Sequence, residues 1–188
     1  MPILPSEPDI YPADLLDESA AFEAGSVPWW AVYTLARREK DFMRRLRKLE
    51  LPFYCPIVTQ KRRSPGGRVR ISHVPLFTGY VFLRGNEEQR YQALTTNCVS
   101  QCLPVPDPAE LVRDLQNLRR LIGSERPLTA ELRLEAGAKV RIRSGPLMGL
   151  EGTVLKRHGQ ERLLVAVGFL QQGASIQIED FEVERIDR

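Results

Sequence analysis

A catalytic or metal centre would have to be built from histidines, cysteines and clustered carboxylates, and this chain of 188 residues is poor in the first two. His73 and His158 are its only histidines, and they lie in stretches of different pattern. Cys98 and Cys102 have a spacing found at some metal sites, but no further Cys or His stands near them, so they and Cys55 are expected to pack as small apolar side chains. Ser64-Pro65-Gly66-Gly67 lacks the Lys-Ser/Thr ending of a phosphate-cradling loop and reads as a turn. No catalytic residue, metal or cofactor is expected, and the chain reads as a non-enzyme. The remaining chemistry is that of binding, through aromatic rings and cations.

The cations are unevenly placed, so the net charge of +3 understates the polarity of the chain. Residues 1–28 hold Glu7, Asp9, Asp14, Asp17, Glu18 and Glu23 with no Lys or Arg, whereas the stretch from Arg37 to Arg70 is crowded with both. With Pro2, Pro5, Pro8 and Pro12 among its acids, the leader shows no periodicity that would bury a face, and disorder is expected there, with at most a short transient helix around Leu15, Leu16 and Phe22. Trp29 to Leu35 is rich in aromatic and β-branched residues and predicts a strand. Leu35, Phe42, Leu46 and Leu49 then recur at helical spacing with Met43 beside them, leaving a basic outer face. After Leu51-Pro52 come a short strand over 53–58 and a basic hairpin that turns at Ser64 to Gly67 and carries Lys61, Arg62 and Arg63. Leu76 to Leu83 is an apolar strand, followed by a short helix near Glu87 to Leu94 and a strand over 98–103. Asp107, Pro108 and Glu110 open a last helix lined by Leu111, Leu115, Leu118 and Ile122 and stopped at Gly123.

These elements predict an α+β fold, an antiparallel sheet with flanking helices. A linker is expected over 123–134. From 135 to 188 the apolar positions alternate with period two between Gly-rich turns, which predicts a small all-β barrel. No apolar run approaches the roughly 20 residues needed to span a bilayer, the amino terminus has no secretory pattern, and three cysteines make no paired framework. A cytoplasmic monomer with no membrane partner is expected.

Gly137 to Val154, with Ser144-Gly145-Pro146 at a tight turn and Gly152 at a close backbone approach, resembles the KOW motif. Trp29-Trp30-Ala31-Val32-Tyr33, the basic helix and Pro75-Leu76-Phe77-Thr78-Gly79-Tyr80-Val81-Phe82 resemble, in order and spacing, the amino-terminal (NGN) domain of the NusG family of transcription elongation and antitermination factors. The resemblance covers roughly Trp29 to Ile186 and implies a polymerase-binding domain over 29–122 and an SH3-like KOW domain over 135–188.

That resemblance implies contact with the clamp coiled coil of the largest RNA polymerase subunit through Tyr33, Phe77, Tyr80 and Phe82, although Phe82 serves equally well as a core residue. It implies contact of Arg45 and Lys48 with the displaced non-template DNA strand. Lys61, Arg62 and Arg63 join them as nucleic-acid candidates, the alternative being a solvated basic face. Leu147, Met148 and Leu150, with Phe169 and Leu170, would bind a ribosomal protein or a termination helicase, although Leu150 could equally plug the barrel. Thr78 stands where the family has proline, and Gln89-Arg90-Tyr91 replaces a His-Thr-Thr run of one specialised branch. The leader and these departures lean toward a specialised, operon-restricted paralogue. The competing class is a ribosome-associated, RNA-binding KOW protein.

Overall fold

The computed structural model describes residues 7–17, 27–63, 67, 69–124, 126–133, 137–157, 160–178 and 183–186. The chain divides into two compact units, 1–108 and 109–188.

The first unit is built on a five-stranded sheet of order β1-β3-β6-β2-β7. Its strands are β1 (Ile10–Tyr11), β2 (Trp29–Thr34), β3 (Phe53–Tyr54), β6 (Tyr80–Arg84) and β7 (Val99–Pro104). Every pairing is antiparallel. A separate two-stranded hairpin joins β4 (Ile57–Arg63) to β5 (Val69–Pro75); the expected turn at 64–66 lies outside the described residues. Trp30, Val32, Val81 and Leu83 alternate along β2 and β6 and bury one sheet face in a core with Phe42, Met43 and Leu46.

Those last three residues come from helix α1 (Glu39–Lys48). Its acids Glu39 and Asp41 sit in the first turn and Arg45, Arg47 and Lys48 in the last, the arrangement that complements the helix dipole. It ends when Glu50 adopts a left-handed φ of 55°, with Leu51 N–H donating to Leu46 C=O and Glu50 N–H to Arg47 C=O. That is a Schellman closure with glutamate where glycine is usual. Leu35 and Leu49, expected on the apolar face, are 46% and 45% exposed. The helix is one turn shorter at its start than the apolar spacing suggested, so Leu35 precedes it, and Leu49 follows its last residue. Helix α2 (Glu87–Leu94) opens with a capping box between Asn86 and Gln89, and Arg90 lies 5.1 Å over the Trp30 ring.

The leader needs correction. Within 7–17 it is ordered, because β3 offers an unpaired edge and Ile10 and Tyr11 pair with Tyr54 and Phe53. Cys55 N–H donates to Asp9 C=O at 2.7 Å, and Leu15 and Leu16 are 3% and 5% exposed. Phe22 and the rest of 18–26 lie outside the described residues.

The second unit contains helix α3 (Pro108–Gly123), except for its first residue, and a six-stranded antiparallel sheet of order β13-β9-β10-β11-β12-β8. Its strands are β8 (Thr129–Glu131), β9 (Ala138–Ile142), β10 (Glu151–Arg157), β11 (Gln160–Val167), β12 (Gln172–Gln177) and β13 (Val183–Arg185). The period-two stretch is therefore an all-β element, as expected. Two expectations of organisation differ. Helix α3 groups with the sheet that follows it, and the expected linker contains β8. Glu131 binds the buried Ser175 hydroxyl at 2.7 Å, and Arg162 donates to both Ser175 and Thr129, which fastens β8 to β12. Gly152 sits where an added Cβ would stand 2.5 Å from Leu164 C=O, so β10 and β11 can pair closely only without a side chain there.

No helix among the described residues is long and apolar enough to cross a membrane, and no group of three metal-ligating side chains occurs among them.

Candidate functional site

Three candidate surfaces follow from these elements. On the first, β2 and β6 place Tyr33 directly opposite Tyr80, and their rings lie 5.1 Å apart at 56°. This tilted arrangement is favourable for two π systems. Tyr33 is 40% exposed and Tyr80 partly so.

The turn that leads into β6 fixes the pair. Tyr80 N–H donates to Phe77 C=O at 3.1 Å and Gly79 takes a φ of 84° at the third position, the mark of a type II turn. Thr78 at the second position, in place of proline, does not prevent it. Gly79 C=O accepts from Thr34 N–H at 2.7 Å, and Gly79 N–H donates to the buried Glu39 carboxylate at 2.9 Å. An added Cβ on Gly79 would stand 2.6 Å from the Tyr33 ring, so the ring lies directly against the glycine. Glu39, absent from the sequence-derived set, thus ties the start of α1 to the aromatic pair. Its only sequence signal was an acid at the head of a basic helix.

Phe77 and Phe82 are corrected as direct contacts, because they are 2% and 0% exposed. Phe77 turns inward at the first position of the turn. Phe82 stands opposite Ala31, two residues along the same sheet face from Tyr80, where the face is already covered.

The second surface is cationic. Arg45 and Lys48 are exposed, as are Lys61 and Arg63 on β4; the side chain of Arg62 lies outside the described residues. Arg45 is engaged by Asp41 at 3.3 Å, and Asp41 also takes Arg38 at 2.7 Å. The Arg38 hydrogen bond, with smaller help from Arg45, holds the Asp41 carboxyl below its usual range. Arg44 was missed by the sequence reading, and it forks onto Glu7 at 2.9 and 2.6 Å. The hairpin has no acid anywhere in 57–75, and exposed Val69 and Ile71 lie opposite Arg63 and Lys61 in register.

The third surface is in the second unit. Leu147 and Leu150 are 2% and 0% exposed and are corrected as contact residues, whereas Met148 between them is 63% exposed. Met148 N–H donates to Gly145 C=O and Leu150 N–H to Leu147 C=O, so this loop is a wound turn with its leucines inside. Phe169 and Leu170 lie in a 3-10 turn, Gly168–Leu170, and are half-buried. Both loops are held by α3, since Arg120 donates to Met148 C=O at 2.7 Å and Gly168 N–H to Asp114 at 2.8 Å.

Cys55 and Cys98 are buried and Cys102 is half-buried, all as free thiols. Burial pushes the Cys55 thiol far up, and burial raises Cys98 and Cys102 as well, so none is poised as a nucleophile.

A strand-paired tyrosine face, a basic helix and hairpin, and a second unit of one helix and an antiparallel sheet are the arrangement expected of a chain of the NusG class. The family model described as transcription termination factor NusG matches residues 28–131, more than half of the chain, and the chain belongs to that family. It is 26% identical over 166 residues to the transcription termination/antitermination protein NusG of Thermus thermophilus, an alignment covering 76% of this chain and 90% of that relative.

Proposed function

We propose that this chain is a transcription factor that binds RNA polymerase through the Tyr33–Tyr80 end of its first sheet and thereby modulates pausing and termination. The observation that carries the reading is the exposed aromatic pair, held in one arrangement by Gly79 and Glu39. Rigid rings present apolar area at little entropic cost, which suits them to anchoring a helical tip such as the clamp coiled coil of the largest subunit. This binding needs no chemistry, only greater strength toward the elongating conformation than toward the paused one. On this reading Lys48, Lys61, Arg63 and Arg45, with Arg62, meet the non-template strand. The second unit is a KOW-type module whose Met148, with Phe169 and Leu170, recruits a ribosomal protein or termination helicase. The protein acts in the cytoplasm as a monomer, at selected operons.

Pull-down with the full chain tests the central claim. Wild type retains RNA polymerase, and Tyr33→Ala with Tyr80→Ala lowers retention at least tenfold while the urea midpoint stays close to wild type. Retention of ribosomes and not of polymerase would replace this reading with that of a ribosome-associated RNA-binding protein.

A further inference from the structure

We propose that Arg44 is a phosphate-binding position of the first unit and that Glu7 is its built-in occupant, so that a nucleic-acid strand must displace the leader's carboxylate to engage the helix. This rests on the nucleic-acid reading of the basic face given above.

An exposed ion pair is ordinarily of little consequence. Three features set this one apart. The partners are 37 residues apart in sequence, and the leader that delivers Glu7 is anchored independently by the β1–β3 pairing, by the Asp9–Cys55 backbone bond and by buried Leu15 and Leu16. The leader is thus anchored close to Glu7 by contacts that do not involve Arg44. Next, the pairing is two-pronged, with Arg44 Nε donating to one Glu7 oxygen at 2.9 Å and Nη2 to the other at 2.6 Å. That fork accepts a carboxylate or a phosphate equally well.

The third feature is the helix itself. Lys40, Arg44 and Lys48 recur at intervals of four and form one stripe on α1, with successive cations about 6 Å apart along the axis. Like charges at this spacing disfavour one another. Asp41 stands on the neighbouring stripe and is engaged by Arg38 and Arg45. Glu7 is paired to Arg44, at the centre of the Lys40–Arg44–Lys48 stripe. A row of cations at even spacing suits successive phosphates of one strand, and the leader occupies the middle place. The Arg44 hydrogen bond also holds the Glu7 carboxyl below its ordinary value, so the occupant is charged at neutral pH.

Occupation taxes the site, since the apparent affinity is reduced by the fraction of molecules in which Arg44 is taken. The test is fluorescence anisotropy of a labelled single-stranded DNA oligonucleotide, titrated with the full chain at several salt concentrations. Wild type is compared with Glu7→Gln, Arg44→Gln and the double variant. Glu7→Gln should bind roughly 3- to 10-fold tighter at low salt, with a plot of log K against log salt steeper by about 0.7, one added phosphate contact on a single strand. The double variant should match Arg44→Gln. Equal binding by wild type and Glu7→Gln overturns the proposal and leaves the nucleic-acid reading standing, as does a gain that survives in the double variant. Absence of binding by every variant, Glu7→Gln included, overturns the nucleic-acid reading and this proposal together.

Discussion

Tyr33 and Phe82 stand on the same face of the paired strands β2 and β6, yet the first is 40% exposed and the second not at all. The difference lies in position along the strands. The end of this strand pair at the Gly79 turn is open, and two residues further in, at Ala31 and Phe82, the face is sealed. The second unit repeats the contrast within one loop, where Met148 is turned out between inward Leu147 and Leu150. An aromatic or apolar motif therefore contains two kinds of residue, exposed ones that are available to a partner and buried ones that belong to the core.

Substitution should separate the two kinds, and the largest effect is expected at the sealed end. Phe82→Ala removes a fully buried ring and should cost about 3–5 kcal/mol of stability, read from the urea midpoint. Tyr33→Ala should cost about 1 kcal/mol or less and act on polymerase retention instead. Similar losses of stability for both would erase the distinction. In the second unit Leu150→Ala should cost about 2–5 kcal/mol and Met148→Ala no more than about 0.5 kcal/mol. A Met148 variant as unstable as the Leu150 variant would mean that the loop is not wound as described.

Gly79→Ala sharpens the comparison at the hinge between the two ends. A φ of 84° and a Cβ 2.6 Å from the Tyr33 ring oppose any side chain there. We expect a loss of about 1–3 kcal/mol and, separately, a change in tyrosine fluorescence or ring NMR shifts as Tyr33 is pushed from Tyr80. An unchanged tyrosine environment would show that the ring does not rest on the glycine.

Much of the fold was legible because its signals are local. The Trp-rich strand, the basic helix, the capping residues before α3 and the period-two stretch each follow from spacing within a few turns or strands. The leader was misread for the opposite reason. Ile10 and Tyr11 have too little pattern to predict a strand alone, and they become one only because Phe53 and Tyr54, over 40 residues away, present an open edge. Strand β8 was hidden in the same way, fixed by Ser175 and Arg162 from distant positions. The site was half legible. Residue type singled out Tyr33, which is exposed, and Tyr80, which is half-buried, but type alone could not say that Phe77 and Phe82 are covered. Arg44 could have been found by noticing that Lys40, Arg44 and Lys48 share a stripe and that the leader is rich in acids. Glu39 had no comparable signal, because its partner is a backbone N–H.

The smallest expected effect concerns pH and bears on whether the leader belongs with the core residues or with those available to a partner. Arg44 depresses the Glu7 carboxyl in the folded chain, chiefly through the hydrogen bond between them. The folded state therefore binds that proton less readily than the unfolded chain does. The stabilisation is fully present above the ordinary value of 4.5 and is lost as pH falls through the lower folded value. Because both side chains are partly exposed, the amount is at most about 1 kcal/mol. The urea midpoints of wild type and Glu7→Gln should thus differ slightly at pH 7 and converge as pH falls through the lowered folded value. A gap that stayed constant across that range would mean that Glu7 acts through packing and not through its charge, and would return the leader to a purely structural role.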